Sequence, residues 1–513
     1  MSKGDIRFLL PLIAAAISLG TVPTIWAHGF GDRYDLPVPL TYFAVGGGAA
    51  VVLSFAIIGI VVEAGNGALV YPRFNLFQIA GVRFLLGQLI AWIFRLAGLF
   101  LFSLVLVAGF CGDSDPASNL APTFIWVIWW VGMGFFIALF GNLWALINPW
   151  KILYGWAESI HQLLLSGKRL GLGVKYPESV GIWPSVILFF CFAWLESAFS
   201  GSSDPRNLAI LVVIYSLITL TGMFIFGKHE WLRHGEAFSV VFGFLARFSV
   251  TEMRIKGTNC CLACGNSCAG EDGDCVDCSW CLETAIDSEF NLRPPAVGLN
   301  NIGSVGLDVM AMVILLLATV TFDGFSATPE WQDIQTFFFW LLPRGTVDGI
   351  TIAATLGLIA VPLGFAIVYI SFSYLMHRAV RRETTAIDMA KGFVFTLVPI
   401  ALAYNFAHFL SFLLIQGQLL IPLASDPLGI GWDLFGTVGY TVNIRITNAR
   451  FIWFFSVGVI VLGHIIAVYL AHIRAIAMYG DRDLVIRSQL PMLGLMVVYT
   501  ITSLWIISRP IVE

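Results

Sequence analysis

Charged residues are scarce in this chain of 513 amino acids. They make up 12% of the sequence, whereas a soluble globular domain has about 25%. Hydrophobic residues make up 58%, and apolar stretches repeatedly reach the roughly 20 residues that a helix needs to cross a bilayer. The composition excludes an ordinary soluble domain and predicts an all-α fold, a polytopic transmembrane helical bundle surrounded by lipid. The formal net charge of −4 is small, so we expect no nucleic acid as a partner.

The sequence also lacks the short motifs of the common soluble enzymes. It contains no phosphate-binding Walker loop, no Gly-x-Ser-x-Gly elbow and no His-Glu-x-x-His zinc motif. The chemistry of those enzyme classes is therefore unsupported. Whether the chain is an enzyme stays open at this point.

Ten apolar stretches beyond the amino end predict transmembrane helices, which gives about 10 or 11 spans in all. Their approximate limits are 39–62, 84–110, 122–145, 181–198, 208–227, 303–322, 350–375, 392–416, 451–473 and 489–508. Residues 1–27 form either a signal peptide or a first transmembrane helix, because Lys3 and Arg7 precede an apolar run. The chain then divides into an N-terminal membrane bundle at 28–227, a loop at 228–301 and a C-terminal membrane bundle at 302–513.

Lysine and arginine are distributed unevenly when these spans are threaded through a membrane. Of the 28 basic residues, 21 fall on one side, 6 fall on the other, and Arg95 lies within a span. Because basic loops stay in the cytoplasm, we predict a protein of the bacterial inner membrane with the 228–301 loop inside. The C-terminus is predicted to be periplasmic or extracellular. The stretch from Glu230 to Val250 is amphipathic, so it either lies along the inner leaflet or re-enters the membrane.

Seven of the nine cysteines fall between Cys260 and Cys281, within this loop. A reducing compartment favours a metal site over disulfides. One candidate ligand set consists of two Cys-x2-Cys knuckles, the layout of a tetrahedral zinc site; its members are Cys261, Cys264, Cys275 and Cys278. The other is the run Cys275-x2-Cys278-x2-Cys281 with Cys268 or Cys264 as the fourth ligand, which suits an iron–sulfur cluster. The sequence predicts a metal ion or cluster here and leaves its identity open.

Histidines provide two further candidate sites. His408 and His464 lie within neighbouring spans, where they either hold a haem iron or another metal, or are neutral and hydrogen-bonded across helices. Cleavage after Ala27 would make His28 an amino-terminal copper ligand, and the alternative is an ordinary residue at the membrane surface. Glu196 is another costly intramembrane group, for which we expect a polar network within the bundle.

Several segments together resemble one bacterial family. They are His28-Gly-Phe-Gly-Asp-Arg-Tyr-Asp-Leu-Pro-Val-Pro, Asn119-Leu-Ala-Pro-Thr-Phe-Ile-Trp, Asn148-Pro-Trp, Phe322-Asp-Gly-Phe-Ser-Ala-Thr-Pro-Glu-Trp and Ser425-Asp-Pro-Leu-Gly-Ile-Gly-Trp-Asp-Leu-Phe-Gly-Thr. The chain is similar, from His28 to about Ile507, to integral membrane proteins labelled fenitrothion hydrolase, a component of organophosphorus degradation. The resemblance implies phosphotriester hydrolysis, which normally uses a water activated by a metal, and it carries no assigned catalytic residues.

Three functions are compatible with the sequence. The first is a membrane protein with a redox-linked or metal-handling thiolate site and a membrane or cytoplasmic redox partner. The second is a membrane-associated hydrolase of organophosphorus esters, or an accessory component of one. The third is a transporter whose cysteine loop binds structural zinc.

Overall fold

The computed structural model describes residues 36–62, 71–85, 87–165, 170–256, 268, 274–285, 287–300, 305–341, 349–380 and 385–512. The predicted signal peptide or first helix at 1–27 lies outside these residues. So do the candidate ligands His28, Cys261 and Cys264.

Ten helical segments in the described part of the chain are long and apolar enough to cross a membrane, which confirms the predicted all-α bundle. In chain order the helices are α1 Leu40–Val61, α2 Ala80–Leu85, α3 Gln88–Cys111, α4 Leu120–Phe140, α5 Trp144–Ile147, α6 Pro149–Leu164, α7 Trp183–Ser197, α8 Pro205–Phe226, α9 Lys228–His234, α10 Ala237–Ala246, α11 Ser279–Thr284, α12 Leu307–Ser326, α13 Pro329–Leu341, α14 Gly349–Val380, α15 Ala386–Phe393, α16 Val398–Gln416, α17 Leu420–Ser425, α18 Ala449–Tyr479 and α19 Arg482–Val512. The three helices from α15 to α17 follow one another within a single span, Ala386–Ser425.

Polar residues define where several spans begin. Asp204 precedes α8 and accepts a hydrogen bond from the backbone N–H of Asn207 at 2.8 Å, and Pro205 occupies the first turn. Asn448 accepts a hydrogen bond from the N–H of Phe451 at 2.8 Å and begins α18 in the same way. These side chains satisfy N–H groups that the helix itself leaves without acceptors.

The amphipathic stretch predicted at Glu230–Val250 is not a surface helix. It forms α9 and then α10, and the side chains of Phe238, Val241 and Phe242 in α10 are between 0% and 4% exposed. Helix α10 packs against α4 and α7. This short helix is therefore part of the bundle interior.

A buried carboxylate makes the start of α10 possible in these apolar surroundings. Glu236 is fully buried and accepts hydrogen bonds from the N–H groups of Phe238 at 3.0 Å and Ser239 at 2.8 Å. The Tyr215 hydroxyl donates to it at 2.7 Å and the Asn148 amide at 3.2 Å. A helix end that no water reaches needs such partners.

A small antiparallel sheet lies beside the bundle. Its strands are β1 Phe74–Asn75, β2 Thr251–Ile255, β3 Cys275–Val276 and β4 Glu289–Leu292, in the order β1-β4-β2-β3. In the register of the sheet Ile255 pairs with Cys275, and Phe74 pairs with Leu292. We refer to this sheet together with α11 as the β module. The all-α prediction did not include it.

The β module is held together by buried charges. Glu252 and Arg254 are each 1% exposed and Arg293 is 3% exposed. The carboxylate of Glu252 lies 2.9 Å from the guanidinium group of Arg254 and 2.9 Å from that of Arg293. The Tyr71 hydroxyl donates to it at 2.6 Å. Burial raises the pKa of Glu252, but the Tyr71 hydrogen bond and the two arginines outweigh burial and lower it.

We predict that Glu252→Gln destabilises the β module by about 3–5 kcal/mol, because it removes a carboxylate 2.9 Å from two buried guanidinium groups and leaves them with the longer contacts to Asp274 and Asp277. Faster hydrogen exchange in β2 and β4 measures the effect. The wild-type module should also lose stability as the pH falls below about 4.5, since a carboxyl group with a lowered pKa stabilises the fold only while it is ionised.

Lys256→Ala is the matched control. Its ion pair with Glu289 has a lysine side chain that is 69% exposed, so its loss should leave hydrogen exchange in β2 and β4 close to that of the wild type. Equal exchange rates in the Glu252 and Lys256 variants would show that the buried cluster does not hold the sheet.

Candidate metal centre

Four cysteines of the β module meet at one point. The sulfur atoms of Cys268, Cys275, Cys278 and Cys281 all lie within 4.8 Å of one another. Cys268 Sγ is 3.2 Å from Cys275 Sγ and 3.7 Å from Cys281 Sγ. Cys275 and Cys281 are each 1% exposed. All four are free thiols, since these distances are far longer than a disulfide bond.

The local fold explains why these four sulfurs converge. Cys275 is held by strand pairing in β3, and the N–H of Val276 donates to the carbonyl of Cys268 at 3.1 Å. Asp277 has a left-handed φ of 52°, which an Asp tolerates better than most residues. This turn leads into α11, where Cys278 is the N-cap and Cys281 lies three residues further on. Residues three apart share a helix face, so both sulfurs face the same side.

The opposite side of α11 is fixed to the bundle. Glu283 lies 2.9 Å from the ammonium group of Lys151 in α6 and 3.3 Å from that of Lys228 in α9. Burial raises the pKa of Glu283, but the two lysines outweigh burial and lower it. The Trp280 ring stacks on His229 with a centroid distance of 4.7 Å, and burial lowers the pKa of His229 to about 4. His229 is therefore neutral near pH 7.

The arrangement of the four thiols suits a single metal ion. Hydrogen bonds from the Cys268 and Cys275 thiols hold the pKa of Cys278 well below its ordinary value, which favours a thiolate. Zinc–thiolate bonds of about 2.3 Å in a tetrahedron place the sulfurs about 3.8 Å apart. The observed separations of 3.2 Å and 3.7 Å, with 4.8 Å as the upper bound for the group, bracket that value.

The ligand set differs from the two-knuckle arrangement. Cys275 and Cys278 of the predicted knuckles are present, and they are joined by Cys281 and Cys268. This is the second of the two sets that the sequence indicated. Cys261 and Cys264 lie outside the described residues, so their part in the site stays a prediction.

His408 and His464 have separate surroundings. His408 Nε2 lies 2.8 Å from the carboxylate of Asp323 in α12. His464 Nδ1 donates to the carbonyl of Ile460 at 2.8 Å, and its Nε2 has no hydrogen-bond partner. Its ring lies 5.8 Å from that of Tyr499 in α19. Neither histidine belongs to a group of three or more metal-binding side chains among the described residues. A haem or metal shared by the two stays a prediction.

A small cavity lies beside the His408–Asp323 pair, and we call it the polar cavity after the carboxyl groups in its mostly apolar wall. It has a volume of about 60 Å³, and its lining includes Glu196, Asp323 and Asn405. Glu196 hydrogen-bonds Trp130 and experiences the negative charge of Asp323. The sequence marks Glu196 as an intramembrane carboxylate, but it does not indicate that Asp323 lies nearby, because the two residues belong to different spans.

No family model, curated protein or solved structure matches this chain. The function therefore has to be inferred from the chemistry of the sites.

Replacing Cys268 or Cys281 with serine removes one of the four thiolate ligands. We predict that the bound metal then falls from about one ion per chain to near zero. Elemental analysis of the purified protein measures this. Cys111→Ser and Cys191→Ser, which change exposed cysteines outside the group, should leave the metal content unchanged.

A double variant, Cys261→Ser with Cys264→Ser, separates the two ligand sets. Retention of the ion agrees with the four sulfurs described above. Loss of the ion from this variant, together with its retention in Cys268→Ser, would contradict them.

Proposed function

We propose that the protein is a multi-pass membrane protein in which one tetrahedral zinc ion, held by Cys268, Cys275, Cys278 and Cys281, closes the β module. The observation that supports this proposal is the mutual distance of at most 4.8 Å among the four sulfur atoms. The ion is structural, and the activity of the protein belongs to the bundle that it helps to organise.

The short distances favour a single ion over an iron–sulfur cluster. In a [4Fe–4S] cluster each cysteine binds a different iron atom, and in a [2Fe–2S] cluster two cysteines bind each iron. In both cases the sulfurs on different irons lie farther apart than the edge of one tetrahedron. A single ion with four thiolates has no open coordination position, and structural zinc sites are closed in this way. A redox-linked role would require iron in the same four-sulfur site.

The proposed location of the centre is the cytoplasmic side of a bacterial inner membrane. The uneven distribution of 21 and 6 basic residues supports this orientation. The cytoplasm keeps thiols reduced, which agrees with the free cysteines of the site.

We predict that the purified protein is colourless and contains zinc, because Zn²⁺ has a filled d shell. Replacement by Co²⁺ should produce the visible absorption of a tetrahedral thiolate complex, and Cys268→Ser should abolish it. A coloured protein that contains iron and acid-labile sulfide would overturn the zinc proposal in favour of a cluster.

Transport of a proton or a small cation is the second candidate function, and the polar cavity supports it. Glu196 and Asp323 line it together, and like charges in apolar surroundings require a proton or a cation between them. The neighbouring His408 is hydrogen-bonded to Asp323 and can exchange a proton with it. The volume of about 60 Å³ accommodates water molecules or a small ion.

We predict that Glu196→Gln and Asp323→Asn each lower proton uptake into proteoliposomes roughly tenfold or more, since each removes one ionisable carrier from the cavity. A pH-sensitive dye inside the vesicles reports the flux after a membrane potential is imposed. Asp333→Asn on α13 is the control, because Asp333 is exposed and lies outside the cavity. Equal flux in all three variants would refute transport through this cavity.

Hydrolysis of organophosphorus esters stays a separate proposal that rests on the sequence resemblance. The His408–Asp323 pair offers a base for activating water. The adjacent cavity of about 60 Å³ is smaller than the roughly 300 Å³ of small-molecule sites, so an aryl phosphotriester would require the helices to separate. Release of nitrophenol from such an ester, lost in His408→Gln, would support hydrolysis.

A further inference from the structure

A second and larger cavity lies within the C-terminal half of the bundle. Its volume is about 470 Å³, within the roughly 300–1,000 Å³ range of small-molecule sites. Helices α12, α14, α16 and α19 provide its walls, together with the turn before α16. All four helices belong to membrane spans. The molecules that surround this part of the protein are therefore lipids.

The cavity is long and narrow. Its lining on α19 runs from Met492 to Ile506, which at 1.5 Å per residue is about 21 Å along the helix. Spread over this length, the volume of about 470 Å³ is much smaller than that of a helix segment. A helix is about 10–12 Å across and cannot enter such a slot. One extended hydrocarbon chain has the matching shape.

The hydroxyl groups in the lining are already hydrogen-bonded within the protein, so they are not available to a ligand. The Thr321 hydroxyl donates to the Leu317 carbonyl at 2.7 Å and lies 2.6 Å from the Tyr499 hydroxyl. The Tyr369 hydroxyl donates to Ala390 at 2.8 Å, and the Thr502 hydroxyl donates to Val498 at 3.0 Å. The other lining residues are Trp505, one glycine and apolar side chains. Because apolar cavities do not hold water well, a hydrocarbon is the ligand that this lining favours.

Helix α14 explains why the space exists. Pro362 lies inside the helix and has no N–H for the backbone hydrogen bond to Leu358. Gly364, two residues further on, contributes no side chain to the lining. A Cβ atom built at Gly364 meets nothing within 4 Å. The wall is therefore recessed at Gly364, where any other residue would place a side chain.

We propose that this cavity binds one hydrocarbon chain of a membrane lipid, inserted parallel to α12, α14 and α19. The ligand class is defined by the chain, either an acyl chain or an isoprenoid chain, and the headgroup remains in the surrounding membrane. The site is independent of the metal centre and of the polar cavity.

Gly364→Phe tests the site, because the added ring extends into empty space without displacing a neighbour. The full-length protein is reconstituted with a phospholipid that carries a photoactivatable group near the end of its acyl chain, and the labelled residues are mapped by mass spectrometry. In the wild type the labels should concentrate on lining residues such as Met492, Met496 and Val361. In Gly364→Phe this labelling should fall roughly tenfold, since the ring fills the slot.

Gly458→Phe is the matched control. Gly458 is on α18, is exposed, also has nothing within 4 Å of a built Cβ, and does not line the cavity. Its labelling pattern should equal that of the wild type, and a melting temperature and gel-filtration profile equal to those of the wild type show that both variants are folded. Competition by an unlabelled long-chain isoprenoid shows whether the slot accepts that chain as well as the acyl chain. Labels spread evenly over the lipid-facing surface, or full labelling of the lining in Gly364→Phe, would refute the proposal.

Discussion

The contact between Glu283 and the two lysines Lys151 and Lys228 connects the metal centre to the rest of the molecule. Helix α11 has fewer than two turns, and it would not be stable alone in water. One face carries Cys278 and Cys281 of the four-cysteine group, and Glu283 and Trp280 on the other face fix the helix to the bundle. The same pattern recurs at Glu236 and Glu252, each a buried carboxylate whose donors come from different segments of the chain. In a protein with few charges, these carboxylates determine how the segments meet.

Much of the bundle could be predicted because hydropathy directly reflects the cost of placing polar groups in lipid. Every predicted span overlaps one of the ten helical segments, but some of these extend well beyond the predicted limits, as Ala386–Ser425 and Arg482–Arg509 do. The motif Cys275-x2-Cys278-x2-Cys281 could likewise be recognised as a set of candidate ligands, because a tight turn and one helical turn bring its sulfurs together. The fourth candidate ligand could not be identified from the sequence. Cys268 reaches the site through a backbone hydrogen bond from Val276, and spacing alone did not distinguish it from Cys264.

Other features depended on contacts that are distant in sequence. The strands of the β module have only two to five residues, too few for a periodic pattern to indicate them. The interior position of α10 depends on the hydrogen bonds of Glu236. In the sequence this residue is one of several polar residues within the amphipathic segment, and nothing there indicates its role. The His408–Asp323 pair joins residues 85 positions apart. Of these features, sequence reasoning singled out only His408, and it could not assign the partner of that residue.

The pairing of β1 with β4 has a consequence for biosynthesis. Phe74 and Asn75 leave the ribosome early, directly after the first described span, but their partners Asn291 and Leu292 follow only after four more spans have been made. A chain emerges from its N-terminus and tends to fold in that order. The two residues of β1 must therefore wait without a partner while the N-terminal spans insert. Closure of the sheet therefore comes late, after the first five described spans have been made.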